Sequence, residues 1–100
     1  MSDMRKRCFI YILTNKNHTV LYTGVSSNLP KRMEQHRTGF YAKAFTHRYN
    51  VTELVYYEEF SSIVVAIARK KQIKAGSRQK KLDLINKLNP EWKDLTNGFS

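Results

Sequence analysis

The sequence predicts a mixed α/β domain of the α+β kind, with elements in the order strand, strand, helix, strand, helix, helix. Three observations carry that expectation. Residues Cys8 to Leu13 form an unbroken apolar run dominated by β-branched and aromatic types, as a strand covered on both faces requires. Strand-like composition ends at Phe60, and from Ser62 onward apolar residues fall at helical spacing. A length of 100 residues suits one domain, and four Gly with two Pro and no biased segment argue against a disordered or low-complexity chain.

The run from Cys8 to Leu13 is expected as a central strand. Residues Thr14 to His18 are polar and turn-forming, and Val20 to Val25 resume strand chemistry, so the two runs make an antiparallel hairpin. Ser26, Ser27 and Asn28 offer N-cap candidates, Pro30 suits a first helical turn, and Leu29 with Met33 opens an apolar stripe running to about Arg37. Thr38 to Asn50 reads as a long surface loop, in which Phe40, Tyr41, Phe45 and Tyr49 interleave with Lys and Arg. That mixture suits stacking on bases, though packing the loop down is its simpler use. A third strand spans Val51 to Phe60, with Leu54, Tyr56 and Phe60 on one face and Val55 and Tyr57 on the other. Val64, Ile67 and Ala68 mark the buried stripe of a helix from Ser62 to Lys74, and Ala75-Gly76-Ser77 closes it and caps the next. Leu82, Ile85 and Leu88 line that last helix, Asn89-Pro90 ends it, and Trp92 docks a terminal turn on the core.

Eighteen Lys plus Arg against eight Asp plus Glu leave a formal charge of +10. A field of that size on so small a body favours phosphate-rich partners, with DNA the first expectation and RNA an alternative. The lone Cys8 rules out an internal disulfide framework and the usual zinc finger, and points to a reducing compartment. The apolar run after the charged N-terminus is too short for a signal peptide or a membrane span, so a cytoplasmic protein without a membrane partner is expected. Composition says nothing of oligomeric state.

Arg32 and His36, four apart on the first helix, project from one face and could hold a phosphate, although with Lys31, Glu34, Gln35 and Arg37 around them an ordinary solvated helix face is the simpler reading. The densest charge lies in residues 69–81, where Arg69, Lys70, Lys71, Lys74, Arg78, Lys80 and Lys81 occur without a carboxylate. Seven cations in thirteen residues cannot all pair within the segment, and spread over two helices they make a ridge able to follow a phosphate backbone. Tyr11 and Tyr22 sit in the two strands of the hairpin, where tyrosines are ordinarily core residues with a satisfied hydroxyl. No zinc-ligand cluster, glycine-rich phosphate cradle or nucleophile elbow is present.

Phe9-Ile10-Tyr11, then Tyr22-Thr23-Gly24, then Asn28-Leu29-Pro30-Lys31-Arg32 opening a helix, resembles the GIY-YIG endonuclease family. Later segments, including Leu54 to Phe60, Lys71 to Lys74 and Asn89 to Trp92, resemble its small stand-alone members, which are similar to the N-terminal domain of the excision-repair nuclease subunit. The resemblance implies one GIY-YIG domain over 1–100, with its motifs in 8–37, basic helices in 62–88 and a C-terminal docking turn in 89–96. It implies a three-stranded antiparallel sheet flanked by helices, and a DNA endonuclease site using one divalent metal, Mg²⁺ or Mn²⁺. By the same resemblance Tyr11 and Tyr22 are the two motif tyrosines, Tyr22 being the better candidate to help deprotonate the attacking water. Arg32 steadies the scissile phosphate, and His36 occupies a His or Tyr position one turn later. Lys31, Lys70, Lys71, Lys74, Arg78, Lys80 and Lys81 are the expected nucleic-acid contacts.

The chain departs from the family pattern where it matters most. Stand-alone members carry Ala-Arg-Glu-Lys-Gln-Ile-Lys on the helix after the third strand, and the glutamate binds the metal; this chain reads Ala68-Arg69-Lys70-Lys71-Gln72-Ile73-Lys74. A protonated lysine cannot ligate Mg²⁺. The alternative to an active endonuclease is therefore a catalytically impaired DNA-binding module, unless Glu58, Glu59 or Asp83 supplies the missing ligand.

Overall fold

The computed structural model describes residues 7–38 and 49–98, with backbone alone at 36–38 and 97–98. Three strands, β1 (Cys8–Thr14), β2 (Leu21–Ser26) and β3 (Glu53–Phe60), form one antiparallel sheet in the order β2-β1-β3. Among the described residues there are three helices, α1 (Leu29–Thr38), α2 (Ile63–Ala75) and α3 (Arg78–Leu88), followed by a 3₁₀ turn at Leu95–Gly98. The order and sheet type match the expectation; residues 39–48 of the expected loop, with Phe40, Tyr41 and Phe45, lie outside the described residues.

The unbroken apolar run of β1 is explained by its neighbours. Cys8, Ile10 and Ile12 face a core completed by Ala66 and Ile73 of α2 and Ile85 of α3. Tyr11 and Leu13 face the opposite core, with Leu29 and Met33 of α1. Both faces of the central strand are thus dry, and each buried aliphatic side chain contributes about 1.5–3 kcal/mol.

Local chemistry fixes the connections. In the β1–β2 turn the Asn15 carboxamide oxygen accepts from the N–H of Thr19 (2.8 Å) and of Val20 (3.1 Å), and His18 takes a left-handed backbone with φ 57°. The Arg78 guanidinium, at the start of α3, donates to the carbonyls of His18 (3.4 Å) and Thr19 (3.2 Å), while the His18 ring stacks on Trp92 at 4.7 Å. Asn28 caps α1 by accepting from Lys31 N–H, Ser62 caps α2, and Ser77 caps α3. Buried Asn89 ends α3 and ties it to the sheet, donating to the carbonyls of Val55 (3.2 Å) and Lys93 (2.8 Å). Trp92 docks beside the α2/α3 core as expected.

Three expectations about faces are corrected. Strict alternation put Leu54 with Tyr56, yet Leu54 joins Tyr57 on the α1 side and Val55 joins Tyr56 on the other. The cause is a β-bulge: Ile12 pairs with Tyr56 and Leu13 with Leu54, so Val55 is an extra residue and the face flips. The Asp94 carboxylate accepts the Leu54 N–H at 3.2 Å, satisfying a donor beside the irregularity. On α2 the buried stripe is Ala66 and Ile73, while Val64 is 72% exposed and Ile67 38% exposed. Residues 63–68 are all apolar, so spacing alone did not select a face; the small Ala66 lets the helix approach the sheet closely. Likewise Leu88 is 53% exposed, and Leu84 packs in its place.

A polar bridge fastens α2 to β3. The Arg69 guanidinium donates to both Glu58 oxygens, at 2.9–3.2 Å, and to Gln72 at 2.7 Å, while the Tyr56 hydroxyl donates to Glu58. Burial alone would raise the Glu58 carboxyl; hydrogen bonds from Arg69 and Tyr56 outweigh it and hold the group below its ordinary value. Burial, then the Glu58 contact, pushes the Tyr56 phenol up to about 12.

A depressed carboxyl stabilises the fold above its unfolded value, and that contribution is lost as pH falls through the folded value. Glu58→Gln is therefore expected to cost about 1–3 kcal/mol at neutral pH, and the gap from the natural protein should narrow as pH drops below about 4.5. Urea denaturation at both pH values measures it; a gap independent of pH would refute the assignment.

Candidate functional site

Tyr11 pairs across the sheet with Gly24 and Leu13 with Tyr22, so the two tyrosines are diagonal neighbours on the α1 face. Their ring centroids lie 6.4 Å apart at 42°. Tyr11 is fully buried, and Tyr22, on the edge strand β2, is half-buried. Gly24 makes the arrangement possible: a Cβ built there would stand 2.5 Å from both Cζ and Oη of Tyr11, and 2.9 Å from Cε1. The Tyr11 ring therefore occupies the space a side chain would need. The third residue of Tyr22-Thr23-Gly24 houses the third residue of Phe9-Ile10-Tyr11, and the two short segments act as one packing unit.

Helix α1 lies on this same face, because Leu29 and Met33 share a core with Tyr11, and Tyr22 packs against it. Arg32, next to Met33, is half-buried, and Lys31 is exposed. His36 falls one turn after Arg32 on the α1 backbone; its side chain lies outside the described residues.

The basic run divides into two kinds of cation. Arg69 is committed to Glu58, and Arg78, expected as a phosphate contact, holds the hairpin turn. Lys71, Lys74 and Lys80 are exposed. Lys81 is half-buried, with Nζ donating to the Gly76 carbonyl at 3.4 Å. Lys70 stands on the same seam of α2 as Ala66 and Ile73, four residues after one and three before the other. It is half-buried, and no hydrogen bond or ion pair reaches it among the described residues. Lys74 and Lys81 come together with Leu21, Tyr22 and Thr23 around a cavity of about 290 Å³ at the β2 edge.

In comparison with known families, residues 7–83 match the GIY-YIG catalytic domain. The chain belongs to the GIY-YIG family. Among curated relatives, the UPF0213 protein of Syntrophus aciditrophicus is 40% identical over 83 residues, covering 83% of this chain and 93% of that protein. The UPF0213 protein of Staphylococcus saprophyticus is 41% identical over 78 residues, covering 78% and 93%. The solution NMR structure of the UPF0213 protein from Bacillus halodurans superposes with a TM-score of 0.57 at 24% identity, covering 94% of this chain and 98% of that one, a likeness of fold.

Among the described residues no set of side chains makes a divalent-cation site beside the tyrosines. Glu58 has its oxygens taken by Arg69 and Tyr56. Glu59 lies on β3, the far edge of the sheet from Tyr22, and meets Arg7 at 3.1 Å. Asp83 is on α3, accepting from Gln79 at 2.9 Å. Among the described residues no three His, Cys, Asp or Glu side chains converge on a point that could hold a metal. No helix among them is long and apolar enough to cross a membrane.

Sequence reasoning missed the roles of Gly24 and of the Glu58–Arg69 pair. The signal for Gly24 was its position opposite Tyr11 once the hairpin register is drawn, and that for the pair was Tyr56 and Glu58 two apart on one strand face.

Gly24→Ala is expected to destabilise the protein by about 2–3 kcal/mol through overpacking against Tyr11. Combined with Tyr11→Leu, which vacates the space, the loss should be clearly smaller than the sum of the two single losses in urea denaturation. Strict additivity would mean that the ring and the glycine are not coupled.

Proposed function

We propose that this chain is a DNA-binding GIY-YIG domain in which the hydrolytic site is impaired. Membership of the family supports a nucleic-acid partner in general, and the charge of +10 supports electrostatic attachment to it. The observation that carries the impairment is Lys70: the half-buried seam of α2 presents an ammonium, at the position where the family pattern has its metal-binding glutamate. An ammonium donates three hydrogen bonds and accepts none, so it can touch a phosphate oxygen and cannot coordinate Mg²⁺ or Mn²⁺. Of the carboxylates expected to replace the glutamate, Glu58 is tied to Arg69 and Tyr56, while Glu59 meets Arg7 and Asp83 accepts from Gln79 at the surface.

The remaining parts suit phosphate chemistry. Arg32 can place its fork of donors on a phosphate, and the Tyr22 phenol stands on the same side of the sheet as the helix that carries it. That shared face is also what favours the second reading, an endonuclease retaining Mg²⁺-dependent or Mn²⁺-dependent nicking with Tyr11, Tyr22, Arg32 and His36 as its catalytic set.

The deciding measurement is nicking of supercoiled plasmid in Mg²⁺ and in Mn²⁺ by the natural protein, Lys70→Glu, and Lys70→Glu combined with Tyr22→Phe. The expected result is no nicking, nicking, and no nicking, in that order, with a gain for Lys70→Glu of at least about a hundredfold over background. Nicking by the natural protein that Tyr22→Phe or Arg32→Ala abolishes would overturn the proposal in favour of the endonuclease.

A further inference from the structure

We infer that the β2 edge carries a seat for the phosphodiester backbone, built by Lys74 and Lys81 beside Tyr22 and Thr23; the inference rests on the DNA-binding reading above and chooses which cations perform it. The two lysines come from different helices, and the short Gly76–Ser77 connection folds α3 back against α2 so that both reach one cavity of about 290 Å³. That volume is at the lower end of ligand clefts and suits a small polar group such as a phosphate with its waters. The hydrogen bond from Lys81 Nζ to the Gly76 carbonyl, at the end of α2, uses one of three donors and orients the ammonium. Among the described residues no carboxylate lines the cavity, so two like charges share a half-enclosed space, an arrangement that an anion between them relieves.

The sheet itself is electrically lopsided. Glu53, Glu58 and Glu59 all lie on β3, one edge of the sheet, while β2, the other edge, has no charged residue of its own and is flanked by Lys74 and Lys81. A polyanion is drawn toward β2 and away from β3. An edge strand also presents backbone N–H groups with no partner strand, further donors for phosphate oxygens.

Lysines beside an edge strand have a competing use, which is to blunt it against pairing with another chain. Salt dependence separates the two. Affinity for a short DNA duplex would be measured by fluorescence anisotropy between about 50 and 200 mM KCl. The proteins are the natural chain, Lys74→Gln/Lys81→Gln, Lys74→Arg/Lys81→Arg, and a control, Lys16→Gln/Lys87→Gln, that removes two exposed lysines elsewhere. Each lost phosphate contact lowers the slope of log affinity against log salt by about 0.9. The Gln pair should lower it by about 2, with the Arg pair restoring it and the control leaving it within about 0.5 of the natural value. An equal fall in the control, or an unchanged slope in the Lys74→Gln/Lys81→Gln protein, would overturn the seat while leaving DNA binding intact. If the natural protein shows no salt-dependent affinity, the DNA-binding reading falls and the seat falls with it.

Discussion

The rest of the molecule is arranged around the Tyr11 ring lying over Gly24. A fully buried tyrosine brings a large apolar ring and one hydroxyl into the interior, and the hydroxyl must find a partner there. Among the described residues no buried side-chain nitrogen or oxygen lacks one, so the interior is polar-satisfied as well as dense. The ring needs a neighbour without a side chain, and only the cross-strand partner in β2 can provide that vacancy. Register follows: a slip of one residue would set Thr23 or Val25 opposite Tyr11 and turn every side chain of β2 to the other face. With register set, Tyr22 is placed diagonally from Tyr11, and α1 closes over both through Leu29 and Met33.

The two faces of the sheet then do different work. On the α1 face Tyr11, Tyr22 and Tyr57 pack with Leu29 and Met33 of the helix that carries half-buried Arg32. On the other face Tyr56, Glu58 and Arg69 close a polar bridge under the helices and consume a carboxylate that would otherwise be available to a cation. Arg78 and Trp92 both grip the β1–β2 turn, so α3 and the C-terminal segment brace the hairpin that carries the two tyrosines. The basic run accordingly does two kinds of work: Arg69 and Arg78 hold the fold together, while Lys71, Lys74 and Lys80 face outward.

Most of the fold was legible because β1 is extreme. Six residues from Cys8 to Leu13, apolar but for the Tyr11 hydroxyl, admit one explanation, a strand between two layers, and the caps at Asn28, Ser62 and Ser77 announce each helix. What was not legible depends on non-local geometry. The bulge at Val55 arises from pairing with β1 and leaves no trace in the alternation of β3 itself. The buried face of α2 is hidden because residues 63–68 are uniformly apolar, and only the seating of Ala66 on the sheet decides it. Arg69 looked like one more member of a basic run until Glu58, eleven residues earlier, was brought beneath it. The motif residues Tyr11, Tyr22 and Arg32 stood out on the strength of their pattern, whereas the need for Gly24 becomes visible only when the strands are laid side by side.

Lys70 separates two properties that a metal site ordinarily joins. A glutamate holding a divalent cation amounts to one net positive charge, and a lysine supplies one positive charge at the same place. The long-range pull on a phosphate is therefore kept, since at several ångströms only net charge and screening matter. The short-range chemistry differs, because an ammonium offers no open coordination position to an oxygen and cannot serve as the Lewis acid that lowers the pKa of a bound water. On the proposed reading, binding energy persists where transition-state stabilisation does not. The same substitution would make attachment to DNA independent of the supply of divalent metal, which is a property a binding module can use and a hydrolase cannot.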